Sequence, residues 1–171
     1  MAGTLKVGTI TTPSGSGTIT IPSGVTLSGG VANTPYFYVN GSNTDIGSNT
    51  QTKLAGWTEV YNLGSAWDNT NSKFQPTEAG YYYFVCNIGI NYWNSAIISA
   101  LILKNGTTEF WGQTSYPQTT GGVRANVQGT LYLNGSTDYA EAGGYQYADP
   151  TNDTLNGATT QNYFFGYKLI G

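Results

Sequence analysis

Acid–base and nucleophilic chemistry need a small set of side chains, and this chain offers few of them. It contains no histidine and a single cysteine, Cys86. A Ser-His-Asp or Cys-His arrangement therefore cannot be assembled, and a zinc site lacks its usual ligands. Cys86 stands in YYYFVCNIGI, where strand alternation puts it on one face with Phe84 and Ile88. That is the setting of a small buried apolar residue rather than a nucleophile. A carboxylate pair for glycoside cleavage is formally open among nine acidic residues, but no two of them stand in a suggestive setting. Asp149 and Asp153 share the loop segment ADPTND. Carboxylates with asparagine and backbone carbonyls can hold calcium, although this spacing matches no recognised calcium loop and solvated turn residues explain it as well. The expectation is a non-enzyme without a cofactor, calcium at Asp149 and Asp153 being the one metal candidate.

Aromatic rings are the better candidates for function. The segments EFWGQTSYPQTTGG and AGGYQYADP put Trp111, Tyr116, Tyr145 and Tyr147 among turn residues. Flat rings stack on sugars and give rigid contact area at low entropic cost. These four are candidate receptor or glycan contacts, with packing between subunits as the competing reading. Tyr81, Tyr83, Phe165 and Tyr167 lie on strand-like runs instead and are candidates for core or subunit interface.

The elements that must hold these rings read as strands. Charged residues make up 9% of the chain, against about 25% in an average soluble domain. There are 24 glycines and 14 tyrosines. No helical periodicity of useful length occurs, and short strand signals alternate with Gly, Asn, Pro and Thr. In YYYFVCNIGI, one face carries Tyr82, Phe84, Cys86, Ile88 and Ile90, and the other Tyr81, Tyr83, Val85 and Asn87. Both faces are largely apolar, as in a strand covered on both sides, one cover being another subunit. Asn105-Gly106 supplies the two positive-φ positions of a type I′ turn, which predicts a hairpin of Ile97–Lys104 with Thr107–Trp111. VQGTLYL points Val127, Leu131 and Leu133 one way, and NYFFGYKLI closes the chain as a last strand. The sequons at Asn40, Asn105 and Asn134 read as Asn-Gly turns rather than glycan sites.

The first 30 residues differ in kind. GTITTPSGS is followed by GTITIPSGV, a nine-residue repeat without charge or aromatic ring. Ile10, Ile19, Ile21, Val25 and Leu27 recur at strand parity, while Pro and Gly end each short strand. Such strands are too short to stand alone, so residues 1–30 are expected to be an attachment arm that adds strands to a neighbouring surface. Residues 31–171 then form the head. Net charge is −3 and six basic residues are scattered, which argues against nucleic acid. Nothing suits membrane insertion. The amino terminus lacks an apolar signal segment, so synthesis in a cytoplasm is expected.

WDNTNSKFQPTEAGYYYF, beginning at Trp67, resembles the signature of the complement one-q globular-head family, which shares the tumour-necrosis-factor-like jelly roll. Trp67-Asp68, Phe74, Gly80, Tyr82, Tyr83 and Phe84 stand at the family's positions. ALILKNG resembles its strand ending in Lys-Asn-Gly, GTLYLNGSTDY its strand before a Gly-Asp turn, and FFGYKL its closing strand, all in order within residues 35–171. The chain departs from the pattern where Ser136 and Thr137 separate Gly135 from Asp138, and no collagen triplets precede the head. The arm resembles those of virion structural proteins of tailed bacteriophages. Together the resemblances imply an all-β jelly-roll sandwich head with an extended N-terminal β arm. They imply a homotrimer that meets other virion proteins through residues 1–30, is made in the host cytoplasm and is displayed on the virion surface. As a tail fibre or head fibre it would contact host-surface glycan or protein. A capsid-stabilising decoration protein without receptor role, or a bacterial lectin-like adhesin, are the alternatives.

Overall fold

The computed structural model of the chain describes residues 33–91, 96–116, 122–147, 153–155 and 158–169. The arm residues Ile10, Ile19, Ile21, Val25 and Leu27, and Asp149, lie outside the described residues. The described part is all-β, with thirteen strands and no helix. In chain order these are β1 (Tyr36–Asn40), β2 (Asp45–Ile46), β3 (Thr52–Lys53), β4 (Thr58–Leu63), β5 (Trp67–Asp68), β6 (Lys73–Phe74) and β7 (Ala79–Asn91). There follow β8 (Ala96–Lys104), β9 (Thr107–Tyr116), β10 (Gly122–Asn134), β11 (Ala140–Tyr147), β12 (Asp153–Thr154) and β13 (Tyr163–Lys168).

Two antiparallel sheets form the sandwich. The first runs β10-β7-β13-β1-β4; the second runs β5-β6-β11-β8-β9, with β3 paired to β11. A small ribbon joins β12 to β2. The first and last strands of the head pair with each other, Tyr36 opposite Tyr167 and Asn40 opposite Tyr163. This interleaving of distant strands is the jelly roll that the sequence motifs imply.

The core between the sheets is built from alternate residues of long strands. Tyr82, Phe84, Cys86, Ile88 and Ile90 of β7 are all buried, as strand parity predicts. Val127, Leu131 and Leu133 of β10 face the same interior. Phe37 stacks on Trp67 at 4.9 Å and on Phe74 at 4.7 Å, and meets Phe164 edge-on at 5.0 Å. Most of the motif aromatics singled out in the sequence therefore serve as packing residues. Tyr82 places its ring in this cluster and donates its hydroxyl to the Glu78 carbonyl at 2.7 Å, which satisfies the one polar group that its burial would strand.

The predicted hairpin is present, with Asn105 and Gly106 at φ 52° and 78°, and β9 extends past Trp111 to Tyr116. One expectation is corrected. Trp111 and Tyr116 lie on β9, and Tyr145 and Tyr147 on β11, not in turns. The glycines that suggested turns there are sites of close approach. A Cβ on Gly143 would lie 2.6 Å from Leu103 Cδ1, and one on Gly144 2.6 Å from Ile46 Cδ1. Asp153 opens strand β12 opposite Ile46; its companion in the calcium candidate, Asp149, lies outside the described residues.

Candidate functional site

The outward face of the first sheet is a field of aromatic rings. Strand alternation and register build it row by row. Thr130, Tyr83, Tyr167, Tyr36 and Leu63 form one row across the five strands. Gln128, Val85, Phe165, Tyr38 and Tyr61 form the next. Asn126, Asn87, Tyr163, Asn40 and Thr58 form a third. Tyr81 and Tyr132 sit opposite each other at the far end, rings 5.5 Å apart and edge to face. Tyr38 touches Tyr61, Tyr163 and Phe165, each at 6.2 Å, and Tyr83 lies 5.6 Å from Tyr167. The four candidates Tyr81, Tyr83, Phe165 and Tyr167 are thus brought together on one surface.

Sequence reasoning missed Tyr36, Tyr38, Tyr61, Tyr132 and Tyr163 on the same face. The alternation Tyr36-Phe37-Tyr38 was a usable signal, because its middle ring is the buried one. None of the three rows carries a charged side chain. Tyr61 and Tyr81 are 56% and 61% exposed. A groove of about 410 Å³ opens in this face, lined by Asn33, Tyr36, Tyr38, Tyr61, Phe165 and Tyr167. Contiguous apolar surface of this kind is uncommon on a monomer.

The second sheet presents a smaller aromatic feature on its own outward side. Trp111 and Tyr145 have ring centroids 5.0 Å apart, inclined at 55°. Tyr145 donates its hydroxyl to Asn49 Oδ1 at 2.6 Å. Tyr147 is half exposed two residues further along β11. Tyr116 has a described backbone, paired with Ala96. The glycan candidates and the interface candidates therefore sit on different sheets.

The ionisable groups are arranged for structure. Lys53 forms an ion pair with the buried Glu141, and Lys53 Nζ also donates to the Asn71 carbonyl at 2.6 Å. Asp138 accepts from Asn105 Nδ2 and Lys104 Nζ, both at 2.9 Å, and from the Asn134 amide at 3.2 Å. Those hydrogen bonds, from Asn105 first, hold its carboxyl below the ordinary value of 3.8. This is the point where the chain departs from the family pattern, and the extra residues are accommodated in a turn closed by Asn134. Asn134 Oδ1 accepts from the amides of Ser136, Thr137 and Asp138. Burial pushes the Cys86 thiol far up, which suits a packing residue and not a thiolate. Among the described residues no group of three or more His, Cys, Asp or Glu is placed to hold a metal ion.

Fold and faces define a class first: an all-β jelly-roll head whose two sheets turn aromatic surfaces outward. More particularly, this is the fold of tumour-necrosis-factor-like and complement one-q heads. The chain is similar to murine APRIL, with 14% identity and a TM-score of 0.59 over 78% of this chain and 98% of that one. It is similar to the Eiger TNF of S. frugiperda, at 11% identity and TM-score 0.58 over 78% and 91%. The globular domain of zebrafish complement 1qA matches at 11% identity and TM-score 0.56 over 79% and 97%. No protein-family model and no curated protein matches the chain by sequence.

Proposed function

We propose that this chain is a non-enzymatic virion structural protein of a tailed bacteriophage. It assembles as a homotrimer through the aromatic outer face of the β10-β7-β13-β1-β4 sheet. Residues 1–30 anchor it to other virion proteins, and the jelly-roll head is displayed outward as a fibre that contacts the host surface. The observation that carries the assembly reading is the charge-free aromatic field running from Tyr132 and Tyr81 to Tyr61 and Leu63. Its burial against neighbouring copies removes several large rings from water, and each fully buried apolar side chain contributes roughly 1.5–3 kcal/mol. The number three comes from the resemblance of the four ordered motifs to the complement one-q heads, and the phage setting from the resemblance of the arm.

The test is sedimentation of the full-length protein beside Phe165→Asp. The wild type should sediment as three copies, and the variant, with a carboxylate placed among Tyr38, Tyr163 and Val85, as one. A wild-type monomer would remove the assembly reading.

A further inference from the structure

Trp111 and Tyr145 come from strands that are not neighbours. Strand β8 lies between β9 and β11, so the two backbones stand nearly 10 Å apart at about 4.8 Å per strand. Their ring centroids are nevertheless 5.0 Å apart. Both side chains therefore reach across β8, over Ser99 and Leu101, which lie opposite them and are wholly buried. The result is a firm aromatic platform. Tyr145 is tied at its far end to Asn49, while Trp111 keeps 43% of its surface open.

The rim of the platform is polar. Gln113 lies across β8 from Tyr145, both opposite Ser99, and its side chain is exposed, as is that of Asn49. Gln51, also exposed, accepts the Thr108 hydroxyl at 2.7 Å. The nearby cation Lys53 is compensated by Glu141 and by the Asn71 carbonyl. Glu109, exposed, is the bulged residue of β9 between Thr108 and Phe110.

We infer that Trp111, Tyr145 and the amides of Asn49 and Gln113 form a carbohydrate site for neutral glycans. This rests on the reading of the head as a host-contacting surface module. The apolar face of a pyranose stacks on the open indole, and vicinal hydroxyls exchange hydrogen bonds with the planar amides. Charge complementarity selects the occupant: among the described residues the platform offers no uncompensated cation to sialylated, sulfated or phosphorylated chains. Size argues against a second copy here. Two part-open rings present on the order of 100–200 Å², against about 800 Å² per partner in a stable protein interface.

The experiment applies full-length protein to an array of neutral, sialylated and sulfated oligosaccharides, with sedimentation of the same samples. The wild type should bind neutral glycans selectively. Trp111→Ala and Tyr145→Ala should each weaken binding at least tenfold, and Trp111→Phe should recover most of it. Gln113→Ala, altering an exposed side chain, makes the same comparison if Trp111→Ala fails to fold, and should also weaken binding several-fold. Absence of neutral-glycan binding, preference for anionic glycans, or full binding by Tyr145→Ala and Gln113→Ala would overturn the site. A trimer that binds no glycan refutes this inference alone, whereas a monomer that binds neutral glycan refutes the assembly reading and leaves the site standing.

Discussion

At the scale of single residues, the clearest local rules are those of Gly106 and Asp138. Gly106 holds φ at 78°, and no atom lies within 4 Å of where its Cβ would be. Any penalty for substitution there is backbone strain alone, since a β-branched side chain resists positive φ. Gly106→Val should lower stability by about 1–2 kcal/mol, and Gly106→Asn by much less, read from urea midpoints; equal midpoints for all three proteins would exclude the type I′ turn. Asp138 and Asp68 both have carboxyls held below 3.8, by hydrogen bonds from Asn105 and Lys104 in one case and chiefly from Asn71 in the other. A depressed carboxylate contributes its stabilisation above the unfolded value and loses it as the pH falls through the folded value. With no histidine in the chain, nothing with an unperturbed side-chain pKa titrates between pH 5 and 8. The melting temperature should stay level from pH 8 to 5 and fall below about pH 4, less steeply in Asp138→Asn. A step near pH 6.5 would contradict this account.

At the scale of elements, glycines inside strands decide how closely the sheets approach. Gly112 of β9 faces the backbone of β10, where an added Cβ would collide with the Asn126 carbonyl and lie 2.7 Å from Val127 Cβ. Gly143 of β11 faces Leu103 Cδ1 and Leu101 Cβ at 2.6 and 3.1 Å. A side-chain tip can turn away, while a paired backbone cannot without breaking its ladder. Gly112→Ala should therefore cost more than Gly143→Ala, with overpacking of this kind typically worth 1–3 kcal/mol. Guanidinium denaturation of both variants measures the order, and a reversed order would show that β9 yields more easily than β11. The same close approach explains why AGGYQY reads as a turn in one dimension and is a buried strand in three.

At the scale of the whole molecule, the proposed division of labour lies between head and arm. The motif residues Trp67, Phe74, Tyr82, Phe84 and Phe164 all belong to one buried cluster of the head. That core closes with residues from Phe37 onward, so deletion of residues 1–30 should leave a folded head of unchanged melting temperature and unchanged trimer mass. On the proposed attachment role it should also abolish loading onto particles that lack the protein, since burial of Ile10, Ile19, Ile21, Val25 and Leu27 against a partner surface, in three copies, would supply the anchoring energy. Loading equal to that of the full chain would show that the arm is not the anchor; a chain that no longer folds would place the arm in the core.

The amino-acid sequence by itself determined the all-β class, the inward residues of β7 and β10, the Asn105-Gly106 hairpin and the inert character of Cys86. These follow from alternation, turn chemistry and composition, which act over a few neighbouring residues. Only the tertiary structure decided which rings meet. Tyr36, Tyr61, Tyr83, Tyr132 and Phe165 are scattered over about 130 positions and share a face because β1, β4, β7, β10 and β13 pair in one sheet. Trp111 and Tyr145 join because each reaches over an intervening strand. Alternation nominates such rings one strand at a time, as in Tyr36-Phe37-Tyr38, but which strands pair and how far a side chain reaches are long-range properties that no short segment carries.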